Sequence, residues 1–109
     1  MAYDEDLAHR IRAEVARESG LSEKKMFGGL AFLINGNMAV SASGQGGLLL
    51  HVDKADTAKL VEAPEASRMV MRGKEMDGWL RVGVDDLDDK AFRVWVKRGV
   101  SHAKALPPK

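Results

Sequence analysis

The side chains that most often perform catalysis or bind metals are few and scattered in this sequence. His9, His51 and His102 lie in three different predicted elements, and no carboxylate accompanies them at the spacing of a metal site. The chain has no cysteine, and Ser41 and Ser43 alternate along a predicted strand with no base beside them. These residues therefore predict no catalytic residue, no metal site and no cofactor.

Basic residues are concentrated at the C-terminal end of the sequence. After Asp89 there is no acidic residue and there are six basic ones. They are Lys90, Arg93, Lys97, Arg98, Lys104 and Lys109. A helix over this segment presents one cationic face, and such a face attracts anions. We therefore predict that Arg93, Lys97, Arg98 and Lys104 bind nucleic acid or a protein partner.

A second basic group is expected on a hairpin in the last third of the chain. If residues 73–78 form its loop, Arg72 pairs with Trp79, and alternation along the strands places Arg68, Arg72, Trp79 and Arg81 on one face. Such a face binds nucleic acid through phosphate contacts and stacking on bases. The alternative is a solvated face on which Arg72 stacks on Trp79.

The composition is typical of an ordinary single domain. The chain has 109 residues, 45% of them apolar, with 17 basic and 16 acidic side chains. This length supports one hydrophobic core, so we predict a single domain over residues 1–109, and the near balance of charge makes nucleic acid a weak partner. No apolar run is long enough to span a membrane and no export signal begins the chain. Together with the lack of cysteine, this predicts a cytoplasmic protein.

The spacing of apolar residues predicts alternating helices and strands. Leu7, Ile11 and Val15 are four apart and indicate an amphipathic first helix. Strands are expected over residues 26–34, 37–43 and 48–52, then a helix over 53–62, strands over 68–72 and 79–84, and a last helix. The order α-β-β-β-α-β-β-α predicts an α+β fold with a mixed, mostly antiparallel five-stranded sheet.

Two stretches of this sequence resemble a known family. One is the motif Lys25-Met26-Phe27-Gly28-Gly29 with the residues that follow it to 39, and the other is residues 71–80. Both are similar to the N-terminal domain of the TfoX/Sxy family of bacterial competence regulators. The resemblance implies a secretion-chaperone-like α+β fold and a bacterial cytoplasmic protein that regulates transcription or binds a partner, with no established enzymatic activity. The full-length regulators carry a second, helical domain, and since this sequence ends at Lys109, a stand-alone N-terminal domain is expected.

Two functions remain open at this point. Strands rich in Met, Leu and Phe predict an uncovered apolar face or edge, which a homodimer would cover by two-fold pairing, and a further protein partner is expected. The alternative is a small ligand-binding domain or enzyme with a pocket around Gly28, Gly29 and residues 74–79. Two glycines within a strand commonly mark a close backbone approach. The expected neighbour of this pair is the first helix or a second subunit.

Overall fold

The computed structural model describes residues 3–26, 28–85 and 87–108 and places helices on one face of a β-sheet. A short 3-10 helix, Lys54–Asp56, leads into the second α-helix. The elements in chain order are α1 (Glu5–Val15), β1 (Leu21–Met26), β2 (Gly29–Ile34), β3 (Asn37–Ala42), β4 (Leu48–His51), α2 (Thr57–Leu60), β5 (Ala66–Met71), β6 (Lys74–Val82) and α3 (Asp89–Ala105).

The strands of the described residues form one six-stranded sheet in the order β1-β2-β3-β4-β6-β5. Every neighbouring pair is antiparallel. β4 and β5 run in the same direction, but β6 lies between them, so the crossing through α2 creates no parallel pair. The α+β class is confirmed, whereas the expected mixed pairing and the count of five strands are wrong.

The additional strand is β1, which forms one edge of the sheet. It pairs with β2 from Leu21 opposite Ile34 to Met26 opposite Gly29, and its four interior residues are exposed. Because neither side of this edge strand is buried along its interior, its Ser, Glu and Lys residues do not alternate with apolar ones. The sequence pattern therefore predicted one strand beginning at Met26, where the structure ends β1.

Aspartate side chains cap both long helices, and Asn35-Gly36 forms the first hairpin turn. Asp4 caps α1 with its side chain, and Asp88 caps α3 by accepting a hydrogen bond from the amide of Ala91 at 2.8 Å. Asn35 and Gly36 adopt φ angles of 53° and 83°. These angles suit the type I′ turn that joins β2 and β3.

The main core lies between the helices and one face of the sheet. Phe32, Leu50 and Leu80 from the sheet and Ile11 from α1 are all fully buried there. Gly99 permits the close approach of α3, because a Cβ at that position would collide with the carbonyl oxygen of Ala39 on β3. The helix layer is thus seated directly on the backbone of β3.

The β5–β6 hairpin differs from the predicted one. Arg72 and Gly73, with φ angles of 56° and 77°, form a two-residue turn, and Met71 lies opposite Lys74. Most of the predicted loop is therefore strand. The pairing then jumps, so that Arg68 lies opposite Leu80 while Met69 lies opposite Met76. Residues 77–79 have no partner on β5, and β6 bends where Gly78 adopts a φ of 90°.

Candidate functional site

The face of the sheet opposite the main core carries a second hydrophobic cluster, which we call the methionine face. Its buried members are Ala31, Met38, Leu49 and Met69, and its partly buried members are Met26, Leu33 and Trp79. Each of these residues belongs to a strand, so no described helix contributes to this cluster. Methionine is unbranched and polarizable, and it adapts to partners of different shape.

The β5–β6 hairpin carries two exposed apolar side chains beyond Met69, one on each side of β5, because side chains alternate along a strand. Val70 is 55% exposed and Met71 is 39% exposed, and both lie on β5 at the edge of the sheet. The opposite edge, β1, exposes Glu23, Lys24 and Lys25. Charged side chains on an edge strand discourage pairing with another chain. Of the two edges, β5 is therefore the one suited to contact a partner.

The predicted arginine and tryptophan face is not a single surface. The Nε of Arg68 donates to Asp77 at 2.9 Å, and the Nη1 of Arg81 donates to the hydroxyl of Ser43 at 3.0 Å. Arg72 lies in the hairpin turn. The predicted pairing of Arg72 with Trp79 is thus wrong. The connection is a two-residue turn and β6 begins at Lys74, whereas the prediction had a loop over residues 73–78.

Trp79 is covered instead by a histidine. The ring of His51 stacks on Trp79 with centroids 4.3 Å apart and planes inclined by 16°. The ring of His102 on α3 also contacts the ring of His51, edge-on, with the two centroids 4.7 Å apart. The three histidines lie in three different elements as predicted, and two of them, 51 positions apart in the sequence, are neighbours in the fold.

The predicted cationic face of α3 is divided by ion pairs with Glu14 of α1 and with Glu18, which follows α1. The Nε of Arg93 donates to Glu14 at 3.1 Å, and the Nζ of Lys104 lies 2.7 Å from a carboxylate oxygen of Glu18. The sequence argument missed this because the acidic partners lie about 80 residues earlier in the chain. Two of the four predicted α3 binding residues are thus already paired within the chain.

The other two predicted residues of α3, Lys97 and Arg98, line a groove. It lies between α3 and residues 52–60, and its volume is about 670 Å³. The opposite wall includes Asp56 and Lys59. A second cavity of about 400 Å³ is lined by Arg81 and the loop at residues 45–47.

The glycine motif is a structural turn. Gly28 has a φ of 75°, and a side chain at Gly29 would collide with the carbonyl oxygen of Ala42. The close approach was expected, but the neighbour is β3 rather than the first helix or a second subunit. Neither cavity described above is lined by these glycines or by residues 74–79. Phe27 of the motif lies outside the described residues.

One ion pair perturbs the ionisation of its members. Arg12 of α1 donates to both carboxylate oxygens of Glu23 on β1, from Nε at 2.8 Å and from Nη2 at 2.9 Å. The hydrogen bond from the guanidinium lowers the pKa of Glu23 below its ordinary value. The same hydrogen bond raises the pKa of Arg12. This bidentate pair ties the edge strand to the helix layer.

Among the described residues, no group of three or more histidine or acidic side chains is arranged to hold a metal ion. No helix within the described ranges is long and apolar enough to cross a membrane. The fold and its surfaces define an α+β domain with helices on one face of an antiparallel sheet and methionines on the other.

The sequence matches the TfoX N-terminal domain over residues 13–103, and the chain belongs to that family. The match includes β1 to β6 and nearly all of α3. No curated protein and no solved structure matches the chain.

Proposed function

We propose that this protein is a non-enzymatic regulatory module that acts by binding proteins, and that it works as a homodimer in the bacterial cytoplasm. The observation that supports this proposal is the methionine face, which is built only from strand residues. Along β5 it continues from Met69 to the exposed Met71, and Val70 is exposed on the other side of the same strand. An adaptable apolar surface of this kind is suited to protein contacts.

A second copy of the chain is the first partner that we propose for this surface. The β5 edge has unpaired backbone groups along an apolar strand, so two β5 strands can pair antiparallel about a two-fold axis. Arg68 does not oppose this pairing strongly, because Asp77 neutralises it at 2.9 Å. The dimer covers Val70 and Met71, and the methionine face is left for a further protein. The competence-related role of the family is proposed on the family match alone.

The substitution Val70→Lys tests the dimer. We expect the unmodified protein to have the mass of a dimer in sedimentation and light scattering at micromolar concentration. A charge at Val70, near the hairpin end of the β5 edge, should shift Val70→Lys to the monomer, because pairing of two β5 strands would remove the lysine from solvent. The matched control is Val94→Lys, which places the same charge on an exposed valine of α3.

The proposal of a β5 dimer fails if the unmodified chain stays monomeric up to high concentration, or if Val94→Lys dissociates the assembly as well as Val70→Lys does. Retention of the dimer by Val70→Lys overturns it equally. The folded state of each variant is checked by its thermal unfolding, since Val70 contributes little to the core.

A further inference from the structure

The groove between α3 and residues 52–60 collects cations that have no acidic partner in the described chain. Lys97, Arg98 and Lys59 all line it, and none of them belongs to an ion pair of the described residues. The other two predicted cations of the same helix, Arg93 and Lys104, are paired with Glu14 and Glu18. Unpaired cations in a concave surface raise the local concentration of anions. This groove is therefore the part of α3 best suited to an anion.

Arg98 is held in position for such a contact. Its guanidinium lies 4.4 Å from the ring centroid of Trp95. That ring is itself fixed, because Trp95 is 2% exposed and its Nε1 donates to Glu65 at 2.8 Å. A side chain that is already ordered loses less entropy when it binds a ligand. The hydroxyl of Ser101 lines the same wall and supplies a further donor.

The remaining walls of the groove have two other chemistries. Val94, which is 41% exposed, and Leu60 provide apolar surface. Asp53 and Asp56 provide carboxylates, and the Oδ1 of Asp53 already accepts the amide of Ala55 at 2.8 Å. A carboxylate repels a bare anion but accepts hydrogen bonds from hydroxyl groups. The walls together fit a ligand that combines an anionic group, an apolar part and hydroxyls.

We propose that this groove binds a nucleoside monophosphate. The phosphate contacts Lys97, Arg98 and Lys59, the base lies against Val94 and Leu60, and the sugar hydroxyls face the carboxylates. The volume of about 670 Å³ is within the size range of small-molecule sites. This site lies on the helix layer and the β5 edge lies at the end of the sheet, so binding here does not rest on the proposed dimer.

The charge pattern favours a compact anion over a nucleic-acid strand. A nucleic-acid strand needs a row of cations that contacts several successive phosphates. On α3 such a row is interrupted, because Glu14 neutralises Arg93 and Glu18 neutralises Lys104. The carboxylate of Asp56 also faces the groove, and it opposes a second phosphate there.

Calorimetric titration with uridine 5′-monophosphate, uridine and inorganic phosphate tests the site. We expect saturable binding of the monophosphate that is tighter than binding of either fragment. Lys97→Gln and Arg98→Gln should each weaken it about tenfold, as expected for the loss of a charged hydrogen bond. The control Lys90→Gln removes the same charge from an exposed position of α3 outside the groove, and it should change binding by less than about twofold.

A fourth variant separates a ligand contact from simple attraction. Asp56→Ala should strengthen the binding of inorganic phosphate, because a repulsive charge is removed, and should not strengthen that of the monophosphate, which loses a hydroxyl acceptor. Three results each overturn the proposal: no saturable binding of the monophosphate, an equal loss in Lys90→Gln, or inorganic phosphate binding as tightly as the monophosphate. Tighter binding of a single-stranded oligonucleotide at equal phosphate concentration also overturns it. Lys97→Gln remains decisive if Arg98→Gln disturbs the packing of Trp95.

Discussion

Arg12 and Glu23 join the helix layer to the edge strand through two hydrogen bonds of 2.8 and 2.9 Å. Because the pKa of Glu23 is lowered in the folded chain, the pair stabilises the fold above the unfolded pKa of a glutamate, about 4.3. This contribution is lost as the pH falls through the lower folded pKa. Glu23→Gln should therefore reduce the melting temperature at neutral pH by a few degrees at most, since the pair is partly exposed.

The measurement for Glu23→Gln is a series of thermal unfolding curves from about pH 7 to pH 2. The difference between the variant and the unmodified protein should shrink as the pH falls below about 4. Glu75→Gln is the control, because Glu75 is exposed on β6 and belongs to no ion pair of the described residues. A difference that is constant across the whole range would contradict an electrostatic origin.

The separate residue predictions show where sequence reasoning reaches its limit. The caps Asp4 and Asp88 were predictable because a cap acts on amides two or three residues away. The contact between His51 and His102 was not, since it depends on how α3 lies against the end of β4. The pairing of Arg93 with Glu14 was not predictable either, because it depends on how α3 lies against α1.

At the scale of elements, the packing of α3 on β3 depends on Gly99. Replacing a helical glycine by alanine gains roughly 1 kcal/mol of helix propensity. Here the new Cβ would collide with the carbonyl oxygen of Ala39, and overpacking a core typically costs about 1–3 kcal/mol. We therefore expect Gly99→Ala to destabilise the fold by up to about 2 kcal/mol.

Chemical denaturation of Gly99→Ala beside Ser101→Ala measures this balance. Ser101 is exposed on the same helix, so its replacement gains propensity without a steric cost and should leave stability equal or slightly higher. An increase in stability for Gly99→Ala would show that α3 can move away from β3 without loss.

The elements themselves were predicted as far as their apolar pattern allowed. Strands β2, β3 and β4 and helices α1 and α3 bury a full face, and this burial left a readable pattern in the sequence. β1 buries almost nothing, so it was missed. The predicted β5–β6 register was wrong because Arg72 adopts the left-handed conformation, which is uncommon for a residue other than glycine, asparagine or aspartate, and because three residues of β6 have no partner on β5.

At the scale of the whole molecule, the chain separates three surfaces. The helices cover one face of the sheet, the methionine face lies on the other, and β5 forms an apolar edge. The groove cations lie on the helix side and the exposed valine and methionine lie on the hairpin. The proposed self-association and the proposed anion binding therefore use different surfaces, so each can be tested without disturbing the other.

The net charge of +1 and the internal pairing of α3 limit what nucleic acid can bind. Duplex DNA can place one backbone phosphate among Lys59, Lys97 and Arg98, and Asp56 opposes a second one. The affinity for duplex DNA should therefore be weak and should fall with salt at a logarithmic slope of about −1. Fluorescence anisotropy of labelled duplex DNA across salt concentrations measures this slope. Reversing the charges of Lys97 and Arg98 to glutamate should abolish the binding, whereas the same reversal at Lys24 and Lys25 on β1 should leave most of it. A much steeper slope, or equal loss in both double variants, would show that DNA contacts a wider surface than the groove.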